Sequence, residues 1–216
     1  MQTGSRIPVK PRTISPLDAG VIRKRMARCM LERMDSVSEK ILEFSDSLTI
    51  NWEKVGMTRK QFGKSETFGD CLGQGFDGAQ SWLEFTYTDQ TIRAMLQEEA
   101  YLKEVDASPA LGENAPEILQ RAYFSSEKEL PMARGFDVFS DCVVYRDTAG
   151  ADALLRTRIA TKKELAAAQA LGPALGAYLQ QGQQTALTPM NIRMIVANGL
   201  WTRYANPNSH AVAQAQ

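Results

Sequence analysis

Histidine and cysteine, the side chains most often used for nucleophilic catalysis and metal binding, are scarce in this chain of 216 residues. The single histidine, His210, lies in a polar C-terminal stretch that has no packing residues to orient its imidazole. Serine and cysteine nucleophiles need an imidazole held beside them, so we expect no catalysis of that type. A zinc site built from several histidines is excluded for the same reason, and we expect no metal and no cofactor.

The three cysteines, Cys29, Cys71 and Cys142, are too far apart in sequence for a redox motif or a zinc knuckle, both of which need close pairs. The stretch FGDCLGQGFDG around Cys71 is rich in glycine. A phosphate-binding loop would need a preceding strand and a lysine at its end, and this stretch has neither. We therefore interpret it as the end of a helix over 59–73, at which Gly73 and Gly75 stop the helix.

Carboxylates beside aromatic side chains are the remaining candidates for catalysis. Four acids and three aromatic residues lie close together in sequence: Asp70, Asp77, Trp82, Glu84, Phe85, Tyr87 and Asp89. Glycoside hydrolases use two carboxylates that flank the scissile bond, so one hypothesis is a carboxylate-dependent hydrolase that acts on a glycan. The alternative, which we favour, is that these acids cap helices and turns around aromatic core residues, and that the protein is not an enzyme.

The charge balance of the chain argues against nucleic acid as a partner. The 25 basic and 25 acidic residues give a net charge of zero, whereas nucleic-acid-binding proteins carry a clustered basic excess. No stretch approaches the roughly 20 apolar residues of a membrane span. We therefore expect no nucleic acid and no membrane span, and a protein or a small molecule as the partner. The first residues lack the apolar stretch of a secretory signal, which leaves open both the cytoplasm and export with a signal before residue 1.

Two segments of the sequence match over 17 residues: FSDCVVYRDTAGADALL at 139–155 and MARCMLERMDSVSEKIL at 26–42. Setting Cys142 on Cys29 also sets Arg146 on Arg33. An arginine that recurs on a duplicated helix predicts a buried or partly buried ion pair in both copies. The alternative is that Arg33 and Arg146 form a ligand-binding pair on a pseudo-two-fold axis.

Two further matches follow in the same order along the chain. Residues 175–182 align with 68–75, and residues 191–201 align with 91–101. The offset between aligned positions shrinks from 113 to 107 to 100 residues, as expected for a duplication whose copies have loops of unequal length. We interpret the chain as two diverged copies of one unit.

Helices are the elements that must position these residues. Nearly every long segment has apolar residues three or four positions apart, which predicts an all-α fold of two similar helical units packed into one body. We expect a flexible arm at 1–14, helical units at 15–105 and 131–205, a connector at 106–130 and a tail at 206–216.

The helical stripes also predict the core and the role of the connector. Four residues on matching stripes should be buried: Ile92, Leu96, Ile192 and Val196. The connector is too apolar for a free linker, so we expect it to contact both units and to contain a short helix over 115–124.

The second unit carries four successive features: DCVVYRD at 141–147, ADALLRT at 151–157, a capped helix rich in Leu and Ala at 164–179, and an arginine-led helix ending in an aromatic residue at 192–201. In these features it resembles small exported proteins of α-proteobacteria, of the sphingomonad type. The resemblance implies a signal peptide and an oxidising compartment, so we expect a periplasmic or secreted protein. It implies no activity, and we expect a non-enzymatic binding or structural protein.

Proteins of that group have a second cysteine near the end of the central helix. This position holds Cys71 in the first unit and Tyr178 in the second. Together with the equivalence of Cys29 and Cys142, the resemblance implies a disulfide between Cys29 and Cys71, with Cys142 left as a buried thiol outside the bridge. Such a bond persists only in an oxidising compartment. The alternative is three reduced core cysteines in a cytosolic protein.

Overall fold

The structure is a computed structural model that describes residues 16–76, 87–177 and 187–207. Within these ranges the chain is helical, and the one β contact is an isolated bridge between Ser45 and Ile50, so the predicted all-α class is confirmed. No helix in these ranges is both long enough and apolar enough to cross a membrane. The predicted arm at 1–14 and most of the predicted tail lie outside the described residues.

In chain order the helices are α1 (Pro16–Arg33), α2 (Asp35–Glu43), α3 (Trp52–Val55), α4 (Arg59–Lys64), α5 (Glu66–Phe76), α6 (Asp89–Glu104), α7 (Leu130–Arg146), α8 (Thr148–Arg156), α9 (Lys162–Ala170), α10 (Gly172–Gly176) and α11 (Pro189–Leu200), followed by a π-helical turn (Trp201–Ala205). Side-chain caps explain several of the starts. The hydroxyls of Thr88 and Thr188 accept hydrogen bonds from the backbone N–H groups of Thr91 and Asn191 at the starts of α6 and α11. Such a cap satisfies an N–H group that the first helical turn leaves without a partner.

The two halves of the chain pack in the same order. Helix α1 packs against α5 and α6, and α2 packs against α6. In the second half α7 packs against α10 and α11, and α8 packs against α11. Helices α6 and α11 contact each other and so join the halves. These matching contacts are compatible with the duplication, which stays a prediction.

The core lies along α6 and α11. All four residues predicted from the helical stripes are buried there: Ile92, Leu96, Ile192 and Val196. Burial of one such side chain contributes about 1.5–3 kcal/mol. Gly199 lets α11 approach α7 closely, because a Cβ atom at that position would lie 2.6 Å from the carbonyl oxygen of Ser140. Any side chain there would push the two helices apart.

A disulfide joins Cys29 of α1 to Cys71 of α5, with the two Cα atoms 5.4 Å apart. Cys142, on α7, remains a thiol and is buried. The predicted pairing is therefore confirmed. The bridge fastens the two helices of the first half that pack most closely, and Tyr178, the residue predicted to replace Cys71 in the second half, lies outside the described residues.

The predicted single helix over 59–73 is wrong at both its middle and its end. Ser65 has an extended backbone and separates α4 from α5. Gly73 and Gly75 lie inside α5 and do not stop it. Gly75 serves helix packing, because a Cβ atom there would lie 3.1 Å from Cγ2 of Ile22 on α1. Gly75 thus allows α5 to lie close against α1.

The connector, which the structure describes in full, contains no helix over 115–124, contrary to the prediction. Several of its backbone groups bind side chains of the two units. The N–H of Leu119 donates to Asp141 of α7 at 3.1 Å. The N–H of Phe124 donates at 2.7 Å to Asp46, which follows α2. The predicted contact of the connector with both units is confirmed.

Candidate functional site

A polar cavity of about 460 Å³ opens between the two units. Its walls come from the end of α2, the middle of α6, the connector, α7 and the π-helical turn. The polar wall contains Arg93, Arg121 and Asp137, and the apolar wall contains Leu42 and Trp201. Small-molecule sites in proteins have volumes of about 300–1,000 Å³, so the cavity has the size of a ligand site.

Arg93, on α6, is only 4% exposed. Its Nε donates to Oγ of Ser45 at 3.0 Å, and its Nη1 donates to Gln97 Oε1 at 3.0 Å and to Asn198 Oδ1 at 2.6 Å. All three partners are neutral. Burial lowers the pKa of Arg93 to about 10, so the guanidinium remains a cation at neutral pH. Nη2 has no acceptor among the described residues, although the nearby carboxylates of Asp137 and Asp46 stabilise the cation without a hydrogen bond to it.

Arg121 reaches the cavity from the connector, and its side chain is 6% exposed. Its Nη2 donates to Oδ1 of Asp141, and its Nη1 donates to Oγ1 of Thr202 at 2.5 Å. Burial raises the pKa of Asp141, and the adjacent Arg121 opposes that rise. The Nε of Arg121 is buried and has no hydrogen-bond partner among the described residues.

Asp137, on α7, is 1% exposed. Its Oδ1 accepts a hydrogen bond from Nδ2 of Asn198 at 2.9 Å and lies 3.6 Å from Nη1 of Arg121. Its Oδ2 is buried and has no partner among the described residues. A buried polar atom left unsatisfied costs about 1–3 kcal/mol. Together, Nε of Arg121 and Oδ2 of Asp137 give the cavity wall one unsatisfied donor and one unsatisfied acceptor.

Asp46 also lines the cavity, but its carboxylate is fully engaged. Oδ1 accepts from the N–H groups of Leu48 and Thr49, and Oδ2 accepts from the N–H groups of Phe124 and Ser125. Burial alone would raise the pKa of Asp46, but these hydrogen bonds outweigh it and lower the pKa below its ordinary value. Asp46 therefore holds the connector in place and has no oxygen left for a ligand.

The π-helical turn places Trp201 beside Arg93. The Cζ atom of Arg93 lies 5.8 Å from the ring centroid of Trp201, within the range of a cation–π contact. Two residues later, Arg203 donates to the carbonyl oxygens of Pro116 and Glu117 at 2.8 and 3.1 Å. The turn thus builds one side of the cavity and fixes the connector that supplies the other. Turns of π type are often found at functional sites.

A second cavity of about 520 Å³ lies next to the first and shares Leu42 and Trp201 with it. Its rim carries the carboxylates of α2, at Asp35, Glu39 and Glu43. These three residues are exposed, so water already solvates their charge. The second cavity therefore lacks the buried charges that distinguish the first.

Arg193, on α11, is the counterpart of Arg93 in the alignment of the two units and is fully buried. Its Nη2 donates to Oε1 of Glu98, and its Nη1 lies 3.3 Å from Oε1 of Glu164. Backbone carbonyls at the end of α8, of Leu154 and Leu155, accept two further hydrogen bonds at 2.8 and 2.9 Å. Burial would raise the pKa of Glu98, but Arg193 and then Lys24 lower it below its ordinary value.

The arginines singled out from the sequence lie elsewhere. Arg33 forms an ion pair with Asp70 at 2.9 Å, and its side chain is 44% exposed, so this pair lies at the surface and is not buried. Arg146 is exposed at the end of α7. Neither residue lines either of the two cavities between α2 and the π-helical turn.

The candidate carboxylates of the hydrolase hypothesis are partly engaged in structural roles. Asp70 pairs with Arg33, and Oδ2 of Asp89 accepts from the N–H of Ile50 and from Nε1 of Trp52. The others, Asp77 and Glu84 with Trp82 and Phe85, lie outside the described residues, as does His210.

The residues of the polar cavity were not found from the sequence. A signal existed for Arg93, because the alignment of 91–101 with 191–201 places it on Arg193. No local signal pointed to Arg121 or Asp137, which meet only because the connector folds back on α7. Comparison with models of protein families, with curated proteins and with solved structures finds no match to this chain.

Proposed function

We propose that this protein is a non-enzymatic, exported binding protein that holds a small ligand with a carboxylate group in the polar cavity. The observation that carries the proposal is the placement of two almost fully buried arginines, Arg93 and Arg121, in the wall of one cavity. Guanidinium groups bind carboxylates through short, charge-assisted hydrogen bonds. Arg93 supports the proposal most directly, because its protein partners are all neutral.

The carboxylates of the cavity favour binding over hydrolysis. A glycoside hydrolase needs two carboxyl groups that both reach the substrate, one as an acid and one as a base or nucleophile. Asp46 accepts hydrogen bonds with both oxygens, and Asp141 is fully buried against Arg121. Of the acids that line the cavity, Glu43 is exposed at the end of α2, and Asp137 alone is buried with an oxygen that has no partner among the described residues. The cavity therefore offers no second buried acid with an oxygen open to a substrate.

Export is supported by the disulfide between Cys29 and Cys71. Disulfides form and persist in the periplasm and outside the cell and are rare in the cytosol. Alkylation of freshly isolated, denatured and unreduced protein tests this part of the proposal. One modified thiol, mapped to Cys142, is the expected result. Three modified thiols would instead place the native protein in a reducing compartment.

Binding can be tested with two probes that share a carboxylate and an aromatic ring, L-phenylalanine and 3-phenylpropionate. We expect calorimetric titration of the wild-type protein to detect at least one of them. Arg93→Lys keeps the charge but loses the planar donor fork, so its affinity should fall about tenfold or more. Arg33→Lys, at the surface ion pair, is the matched control and should bind as the wild type does. Absence of binding by both probes, or unchanged binding by Arg93→Lys, would contradict the proposal.

We also infer that the two units arose by duplication. Helices α2 and α8 begin and end at aligned positions, and both α6 and α11 start at a threonine cap and carry a buried arginine. An experimental structure tests this inference by superposition of 20–44, 62–75 and 89–102 as one set on 133–157, 169–182 and 189–202. A different order or direction of the helices in the two sets would overturn it.

A further inference from the structure

The geometry points to a zwitterion as the ligand of the polar cavity, an amino-acid-like molecule with an ammonium group beside its carboxylate, with Asp137 as the residue that selects the ammonium. This inference rests on the proposed function, because it adds a second recognition element to the same site. The arginines account for the carboxylate. The remaining features of the wall require a donor as well.

The first of these features is the pair of unsatisfied atoms. Nε of Arg121 is a donor without an acceptor, and Oδ2 of Asp137 is an acceptor without a donor, among the described residues. The two side chains are neighbours, since Nη1 of Arg121 lies 3.6 Å from Oδ1 of Asp137. Both residues line the cavity and both atoms are buried in its wall, so a ligand that reaches them would have to offer an acceptor and a donor close together. A carboxylate beside an ammonium group does so.

The second feature is the charge of the wall. Two cations, Arg93 and Arg121, line the cavity together with three carboxylates, those of Glu43, Asp46 and Asp137, and the buried Asp141 lies against Arg121. Arg121 is already paired with Asp141. An anion alone would add to an excess of negative charge in a poorly solvated place, which is unfavourable. A zwitterion adds no net charge, and its ammonium group can lie against Asp137 while its carboxylate lies against Arg93.

The third feature is the apolar wall, which indicates the rest of the ligand. Leu42 and Trp201 also line the cavity, and both are buried. An apolar or aromatic side chain would remove further surface of these residues from water, which is favourable. The wall therefore suits a zwitterion with an apolar side chain better than one with a second charge.

Three probes of one scaffold separate these elements. L-Phenylalanine carries both charged groups, 3-phenylpropionate lacks the ammonium, and 2-phenylethylamine lacks the carboxylate. Calorimetric titration of the full wild-type chain should show L-phenylalanine binding at least about tenfold more tightly than either of the others, since each of the others lacks one charge-assisted hydrogen bond. This comparison needs no variant and does not depend on whether a variant folds.

The role of Asp137 is tested with Asp137→Asn, which replaces the charged acceptor by an amide. We expect the preference for L-phenylalanine over 3-phenylpropionate to fall to less than about twofold, while 3-phenylpropionate binds as tightly as before or more tightly. Asp152→Asn is the matched control, because Asp152 is a buried aspartate paired with Arg156 outside the cavity. The control should keep the wild-type preference, and circular dichroism should show that both variants are folded.

The outcomes separate the inference from the function on which it rests. If 3-phenylpropionate binds the wild type as well as L-phenylalanine does, the zwitterion is overturned and carboxylate binding stands. If neither carboxylate binds, the proposed function falls as well. If Asp137→Asn keeps the full preference, the ammonium is recognised elsewhere and the role of Asp137 is overturned. Tightest binding by 2-phenylethylamine would contradict both proposals.

Discussion

Arg93 and Arg193 occupy aligned positions on α6 and α11, and both are buried, but their surroundings differ in kind. Arg193 lies against two carboxylates, Glu98 and Glu164, and its nitrogens donate to several carbonyl oxygens as well. Arg93 donates only to neutral groups, and part of its guanidinium has no acceptor among the described residues. The difference teaches that burial alone does not make an arginine structural. What distinguishes the two arginines is a directly paired carboxylate, which Arg193 has in Glu98 and Glu164, whereas Asp137 and Asp46 stabilise Arg93 without a hydrogen bond to it.

The hydrogen bonds of the two arginines also join the two halves of the chain in a reciprocal way. Arg93 of the first half donates to Asn198 of the second, and Arg193 of the second half donates to Glu98 of the first. Positions 98 and 198 are themselves aligned. A contact between two like surfaces has this reciprocal form, as in a two-fold dimer. At this aligned position Arg193 therefore meets a carboxylate and Arg93 meets an amide. We call Arg193, which is paired with carboxylates, the closed arginine, and Arg93, which donates only to neutral groups, the open arginine.

The largest expected effect concerns the closed arginine. Arg193→Met leaves Glu164 without a cation and Glu98 with Lys24 alone, and removal of one partner from a buried ion pair costs about 3–5 kcal/mol. Arg93→Met loses hydrogen bonds to neutral groups only and should cost about 1–3 kcal/mol. Urea denaturation of both variants measures the two free energies of unfolding. Equal losses of unfolding free energy in the two variants would show that the paired carboxylates do not make Arg193 more important for stability than Arg93.

The disulfide is the next largest effect, and it stabilises only the half that contains Arg93. Its cysteines are 42 positions apart, and a loop of that length gives about 4 kcal/mol on the chain-entropy model, with about 2–4 kcal/mol usually measured. Replacement of both Cys29 and Cys71 by serine should lower the free energy of unfolding by that amount. Cys142→Ser is the control for loss of a buried sulfur on α7, and it should cost clearly less. A comparable loss in the control would mean that packing of the sulfur atoms, and not the bridge, accounts for the effect.

A smaller effect, on ligand binding, is expected when a carboxylate is introduced beside Arg93. Gln97 accepts a hydrogen bond from Nη1 of Arg93, so Gln97→Glu gives Arg93 a directly bonded carboxylate, as Glu98 and Glu164 give Arg193. The new charge should neutralise Arg93 and weaken the binding of L-phenylalanine about tenfold, which corresponds to about 1.4 kcal/mol. Titration calorimetry measures the change. Gln120→Glu, at the rim on the connector, is a control for added charge, and an equal loss there would argue against a specific role of Arg93.

The smallest expected effect is a pH dependence of the stability that Glu98, the partner of Arg193, contributes. The pKa of Glu98 in the folded protein lies below its ordinary value of 4.5, so its ionised form stabilises the fold. This stability is fully present above pH 4.5 and is lost as the pH falls through the folded pKa. The difference in free energy of unfolding between the wild type and Glu98→Gln should therefore be constant near neutral pH and shrink in acid. Glu113→Gln, at an exposed position of the connector, should show no such trend.

The parts of the fold that could be predicted from the sequence are those that local periodicity determines. Apolar spacing placed Leu96 and Val196 in the core, and the equivalence of Cys29 with Cys142 led to the correct disulfide. The break between α4 and α5 was missed although serine favours helix starts. Oγ of Ser65 accepts a hydrogen bond from the N–H of Phe68 at 3.3 Å. Repetition of an arginine proved an incomplete guide, since it does not reveal which face of the helix the residue occupies.

The candidate site was less accessible to sequence reasoning, for a physical reason. Its key contacts join residues far apart in the chain, such as Arg121 with Thr202. They depend on the path of the connector, which has no secondary structure of its own. Arg93 was within reach because it aligns with Arg193, whereas Asp137 looks like any polar residue on an amphipathic helix.

The carboxylate of Asp46 makes one of several side-chain contacts that attach the connector to the two halves of the chain. It fastens Phe124 and Ser125 to the first half, while Arg203 and Asp141 fasten the same connector to the second. Residues 106–114 are mostly exposed and lie before all of these attachments. The peptide bonds of that short stretch therefore join parts that side chains already hold together. We expect the protein to reassemble from two separate polypeptides divided there, with the cavity formed at their junction.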